Sequence, residues 1–265
     1  MKLKENEHLF NPTGKNDIKY IILTLTITSA LSILSGLLLF FLHLNNKLYI
    51  DIFFILTNIL TIGVFMLCVN ELHKINPFLF ITLGKKISFI LILKWIIVSI
   101  FLFVLAFIIL TTLSETKFTI NSNITILPLI SGILYFIVIV FKEEIIFRGY
   151  LLQETSLYAK KIVSIIIIAV LFTLYHIFRS GIYGLIVIFL WGLIYGWITF
   201  TFKRLEYVIA IHFGINIMTW ATENMLEADF NKIFYFKLNI LCLVFLSIIT
   251  LIIKKRTSLK NKLAL

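Results

Sequence analysis

The stretch from Leu127 to Leu152 reads LPLISGILYFIVIVFKEEIIFRGYLL and decides how the rest of the chain is interpreted. It exceeds the roughly 20 apolar residues that an α-helix needs to cross a bilayer. It nevertheless contains a lysine, two glutamates and an arginine between Lys142 and Arg148. Because ionisable side chains are costly inside a membrane, they mark a functional site with a charged partner by default. We therefore take this segment as the candidate site.

The composition places the chain in a membrane. It has 265 residues, of which 60% are hydrophobic and 14% charged, and its mean hydropathy is +1.05. A soluble globular domain does not have such values. The chain contains eight apolar runs, at 18–44, 50–69, 87–113, 127–152, 162–178, 182–202, 205–222 and 234–253. Because these runs are continuous rather than alternating, they predict an all-α, polytopic helical membrane protein with about eight transmembrane helices.

The distribution of basic residues predicts the orientation. The N-terminal and C-terminal segments and every second connection carry at least two Lys or Arg, whereas the intervening connections carry one each. By the positive-inside rule, both termini are cytoplasmic in a multi-pass protein of the cell membrane. The net charge of +11 thus serves orientation. Since there is no nucleic-acid motif, we expect no nucleic-acid partner.

The chain is expected to form one membrane domain. The predicted parts are a cytoplasmic tail over 1–17, without a cleavable signal, a transmembrane domain over 18–253 and a basic cytoplasmic tail over 254–265. The chemistry is expected within about 127–222. Gly192 and Gly196 form a small-xxx-small face that lets another helix approach closely.

The charged segment suggests a division of roles. In a helix, Glu144 and Arg148 lie at i, i+4 and can pair, whereas Glu143 points roughly 100° away. Glu143 is then available for proton transfer. On this motif alone, a solvated helix end at the membrane surface explains the charges equally well.

Few other polar residues fall in the apolar runs. His176 follows Phe172 by one turn, and His212 and Asn216 lie at i, i+4 on one helix face. His43 and His73 lie at predicted loop edges, so we expect no catalytic role for them. Glu223, Glu227 and Asp229 form an acidic patch in the last outer loop, which we expect to be solvated.

Three motifs resemble those of a known family. Glu143-Glu144-x-x-x-Arg148, Phe172-x-x-x-His176 and His212-x-x-x-Asn216 occur in order in separate apolar runs. They resemble the motifs of the CPBP family, the CAAX-type prenyl endopeptidases and bacteriocin-processing enzymes also called the Abi family. The resemblance implies an intramembrane endopeptidase.

The resemblance also implies residue roles. The residues matching Glu143 and His176 activate the attacking water, and those matching His212 and Asn216 stabilise the oxyanion. The residues matching Glu144 and Arg148 support the site together with Phe172. Some members are described as metalloproteases, which would give a Zn²⁺ held by Glu143, His176 and His212. The sequence leaves both a zinc ion and no cofactor open.

Two other functions agree with the same residues. Membrane carboxylates and histidines also form proton relays in coupled transporters, although we find no repeat or broken half-helix pair. A non-catalytic scaffold or immunity protein could keep the fold. For an endopeptidase, the partners would be the lipid bilayer and a peptide or protein substrate. The composition, rich in Ile, Lys, Asn and Phe, indicates an AT-rich bacterial genome and favours peptide processing over prenylated substrates.

Overall fold

The computed structural model describes residues 18–42, 46–83, 85–121, 126–178, 180–228 and 230–263. These residues are all-α apart from a short antiparallel ribbon of β1 (Thr119–Ile120) and β2 (Leu226–Glu227). The α-helices are α1 (Ile18–Leu42), α2 (Lys47–Cys68), α3 (Phe78–Thr82), α4 (Phe89–Leu113), α5 (Ile126–Glu144), α6 (Leu152–Ser156), α7 (Lys161–Tyr175), α8 (Ile182–Phe202), α9 (Leu205–Met225) and α10 (Lys232–Leu263). Two π-helical segments, Val69–His73 and Ile145–Leu151, extend α2 and α5.

The described helices confirm a polytopic helical membrane protein but not the count of eight spans. Six are long and apolar enough to cross a membrane: Ile18–Leu39, Leu48–His73, Phe89–Leu113, Ile126–Ser156, Ile182–Phe202 and Lys232–Arg256. The run at 162–178 forms α7, which has only 15 residues because the chain turns after Tyr175. The run at 205–222 forms α9, which has 21 residues but is not among the six. Polar residues such as Glu206, His212 and Asn216 lower its hydropathy.

The predicted tails are described only in part. The tail over 1–17 lies outside the described residues, as does His43. At the other end, α10 continues to Leu263, so the backbone of the basic segment is helical up to that residue.

The chain forms two compact units. The first contains α1, α2, α3, α5, α6 and both π segments. There α2 packs between α1 and α5, and α3 contacts the second π segment. Polar contacts also join α2 to α5, since Ser131 donates a hydrogen bond to Asp51 at 2.8 Å. The first unit therefore orders the helix that carries the charged segment.

The second unit contains α4, the ribbon and α7 to α10. Here α7 packs along α8, and α4 along α9, while α10 contacts α4 and α8. A Cβ at Gly192 would lie 2.9 Å from the Ala169 Cα, and one at Gly196 would lie 3.1 Å from Ile165 Cγ2. The predicted small-residue face is confirmed, and it sets the close approach of α7 to α8.

Candidate active site

The first unit buries the whole charged segment. Glu143 and Glu144 end α5, and Arg148 lies in the π segment that follows. Their exposed fractions are 3%, 0% and 0%, which rules out a solvated helix end. Arg148 Nη1 donates to Glu144 Oε1 at 3.1 Å, so the predicted pairing is confirmed as a buried ion pair.

The helix is not a regular α-helix at this point, contrary to the expectation for the run at 127–152. Ile145–Leu151 is π-helical and begins directly after Glu144. A π turn closes hydrogen bonds from i to i+5 and is found frequently at functional sites. The wider turn still allows the contact between Glu144 and Arg148. It places the irregular backbone next to the candidate base.

A second buried cation precedes the two glutamates. Lys142, 4% exposed, donates from Nζ to Asn58 Oδ1 at 2.6 Å, and Asn58 is 7% exposed. Sequence reasoning missed this pair because its partners lie 84 positions apart. The sequence offered two signals for this pair: the lysine next to the two glutamates, and the asparagine in the apolar run at 50–69. The buried segment thus carries two cations and two carboxyl groups.

His73 differs from the expectation of a loop edge. It ends the first π segment and is fully buried, with Nε2 2.8 Å from the Tyr150 hydroxyl and 3.4 Å from Thr24 Oγ1. These contacts tie α1 and α2 to the second π segment. They indicate a packing role, as is usual for a hydrogen-bonded histidine in a helical core.

In the second unit, His176 follows directly after α7. Its Nδ1 lies 2.8 Å from the carbonyl oxygen of Phe172, and a carbonyl can only accept, so Nδ1 carries the proton. In the neutral ring, Nε2 is then the acceptor nitrogen. Spacing by one turn therefore fixes the tautomer that a water-activating histidine needs.

Phe172 brings two of the motifs together. Its ring, which is 3% exposed, lies 4.8 Å from the ring of His176 and 6.2 Å from that of His212, measured between centroids. Tyr195 also packs against His212, with ring centroids 5.2 Å apart. His212 is consequently buried within an aromatic cluster.

Asn216 lies one turn beyond His212 on the same face of α9 and is half-buried. Within the described parts of the chain, its side chain makes no hydrogen bond. The amide group can therefore donate to a bound ligand. This property suits the oxyanion role that the resemblance implies.

The described residues form no cluster of metal ligands. Across the described ranges, no group of three or more His, Cys, Asp or Glu residues could hold one metal ion.

A family comparison covers the part of the chain that contains these residues. Residues 125–218 match the family model described as type II CAAX prenyl endopeptidase Rce1-like. The chain contains an Rce1-like domain. This domain includes all seven predicted site residues, and it confirms the resemblance to the CPBP family. An Rce1-like domain implies an intramembrane endopeptidase. No curated protein matches the chain.

Proposed function

We propose that the chain is an endopeptidase that hydrolyses a peptide bond in a membrane-associated peptide or protein, using Glu143 as its general base. The observation that supports this proposal best is the burial of Glu143 beside the Glu144–Arg148 ion pair within the Rce1-like domain. A carboxylate in such surroundings has low access to bulk water. It can therefore act on one bound water molecule rather than exchange protons with solvent.

In the proposed reaction, Glu143 accepts a proton from water while the water oxygen attacks the carbonyl carbon of the scissile amide. His176 accepts a hydrogen bond from the same water at Nε2. The tetrahedral intermediate carries a negative oxygen, to which His212 and Asn216 donate hydrogen bonds. Glu143 then returns its proton to the leaving nitrogen as the C–N bond breaks, which gives a free carboxyl group and an amine.

The remaining residues hold this arrangement. The ion pair of Glu144 and Arg148 holds the end of α5 and the π segment next to the general base Glu143. The Phe172 carbonyl oxygen accepts a hydrogen bond from His176 Nδ1–H, and the Phe172 ring contacts both histidine rings. We assign these three residues supporting roles.

The topology is part of the proposal. We propose that α7 and α9 complete eight crossings with the six candidate spans, and that both termini are cytoplasmic. Reporter fusions at Lys86 and Lys161 should then report a cytoplasmic location, and a fusion within 114–121 an external one. Opposite signals at two of these sites would exclude the model.

The function is tested by peptide cleavage. Purified protein in proteoliposomes should cleave members of a quenched-fluorescent peptide library, whereas the Glu143→Ala variant should not. A proton-uptake measurement on the same vesicles distinguishes the endopeptidase from the transporter alternative. Uptake that depends on Glu143, without cleavage of any peptide, would exclude the endopeptidase.

A further inference from the structure

The second unit contains a cavity of about 440 Å³ that none of the three motifs uses. It lies among α8, α9, α10 and the residues that follow α7. Sites for small ligands in proteins have volumes of about 300–1,000 Å³. The cavity is therefore large enough for one or more side chains of a bound peptide.

One wall of the cavity is joined to His176. Ser180 lines the cavity, and its backbone N–H donates to the carbonyl oxygen of His176 at 3.2 Å. The cavity thus begins one turn of chain beyond the histidine that we propose activates water.

The opposite wall continues the face of α9 that carries the proposed oxyanion donors. Thr219 and Glu223 line the cavity. Together with His212 and Asn216 they follow spacings of four, three and four residues, which keep all four on one helix face. The first wall residue is one turn from Asn216, about 5 Å along the axis. Two separate segments, the residues after α7 and the helix α9, therefore line the cavity and also carry candidate catalytic groups.

The walls are apolar and aromatic. Tyr183, Val187, Tyr235 and Phe236 line the cavity, and the rings of Tyr183 and Phe236 are in contact, with centroids 5.5 Å apart. Such a lining favours a large apolar side chain over a small or polar one.

Two polar side chains of the lining have hydrogen-bond partners within the protein, and two charged ones are exposed. Thr219 donates to the Ile215 carbonyl oxygen at 2.9 Å. Asn239 accepts from Trp191 Nε1 at 3.0 Å and donates to the Tyr235 carbonyl oxygen at 2.9 Å. Glu223 and Lys232 are exposed. Thr219 and Asn239 therefore do not require a polar occupant.

We propose that this cavity is the substrate pocket that selects a bulky apolar residue, aromatic or long aliphatic, close to the bond that is cut. The inference rests on the proposed endopeptidase function and gives it a substrate class. Transfer of one such side chain from water into an apolar pocket corresponds to a preference of roughly 10- to 10²-fold in kcat/KM over alanine.

The test uses the full-length protein in proteoliposomes and quenched peptides that carry Phe, Leu or Ala at each position around the cut bond. The parent should prefer Phe and Leu at one position. Val187→Trp fills the cavity and should remove this preference mainly through KM. The matched control is Val244→Trp, which adds the same ring at a position of α10 that is 47% exposed. Tyr235→Leu removes an aromatic ring from the cavity wall and should reduce the preference for Phe. This variant replaces Val187→Trp in the test if Val187→Trp does not fold.

A second readout does not require turnover. A peptide with a photoreactive benzoylphenylalanine at the preferred position, or at each position in turn, is bound to the Glu143→Gln variant and crosslinked. Crosslinks within 180–187 and 232–239 support the pocket. Crosslinks elsewhere, or an unchanged preference in Val187→Trp, overturn the pocket and leave the endopeptidase function intact. If no peptide is cleaved by the parent, the endopeptidase function fails, and the crosslinks still decide whether the cavity binds apolar residues.

Discussion

The two units present polar groups to the membrane interior in different ways. The first buries four ionisable residues in one short segment, Lys142, Glu143, Glu144 and Arg148, on a helix that is partly π-helical. The second holds His176 and His212 beside aromatic rings, with a hydrogen bond from His176 to a carbonyl group, and Asn216 lies one turn from His212. Charges need fixed partners in a low-dielectric interior, whereas uncharged groups need only packing and single hydrogen bonds. We therefore expect the loss of a charged side chain in the first unit to affect folding or chemistry severely, and the loss of an uncharged polar side chain in the second to affect turnover at preserved stability.

The largest effect is expected at Glu143. Glu143→Gln preserves shape and hydrogen bonding but removes the proton acceptor, so peptide cleavage should fall by about 10² to 10⁴. The measurement is kcat on the best library peptide, with circular dichroism as a check of folding. Cleavage at the parental rate would show that Glu143 is not the general base.

Arg148→Ala should affect the amount of folded protein. It leaves the fully buried Glu144 carboxylate without its ion-pair partner, at a cost of about 3 to 5 kcal/mol in the free energy of unfolding. Thermal unfolding in detergent measures the loss. In the control, Lys74→Ala breaks the exposed ion pair with Glu71 and should leave stability unchanged. A folded but inactive Arg148→Ala protein would instead place the arginine in the chemistry.

Asn216→Ala should lower turnover without loss of fold. It removes one proposed oxyanion donor and should reduce kcat by about 10² to 10³, because no buried charge is exposed or left alone. Its control on the same helix is Asn224→Ala, whose amide donates to the Trp220 carbonyl oxygen at 2.8 Å and should be dispensable for cleavage. Equal turnover in the two variants would remove Asn216 from the oxyanion site.

The smallest effect is expected from the close packing of the second unit. Gly192→Ala forces a methyl group against the Ala169 backbone and should cost about 1 to 3 kcal/mol of stability. Gly63→Ala in the first unit meets no atom within 4 Å and should be neutral or slightly stabilising. Melting temperatures of the two variants test the contrast, and a stable Gly192→Ala would show that α7 can move away from α8.

Contacts within one turn were predictable from the sequence. The ion pair of Glu144 and Arg148, and the shared face of His212 and Asn216, follow from helical spacing. The glycine face of α8 was also predictable, because only small residues allow two helix backbones to approach closely.

Contacts between distant segments were not predictable. Lys142 pairs with Asn58 only because α2 packs along α5, and His73 is buried only because Tyr150 and Thr24 surround it. The count of eight spans is not confirmed at α7 and α9, because an apolar run of the right length does not specify where its helix turns or how packing accommodates its polar residues.

The π segment also has a consequence for how the chain tolerates changes in length. A π turn holds about one residue more than the α-helical turn that it replaces. Loss of a single residue within Ile145–Leu151 would therefore convert the turn to regular α-helix and keep α5 and α6 in nearly their present rotational phase. The same deletion in the middle of α5 would rotate one side of the helix by about 100° against the other. The π segment thus holds one residue that an α-helical turn would not need. We therefore expect natural length variants of this chain to carry deletions within Ile145–Leu151 more often than within α5.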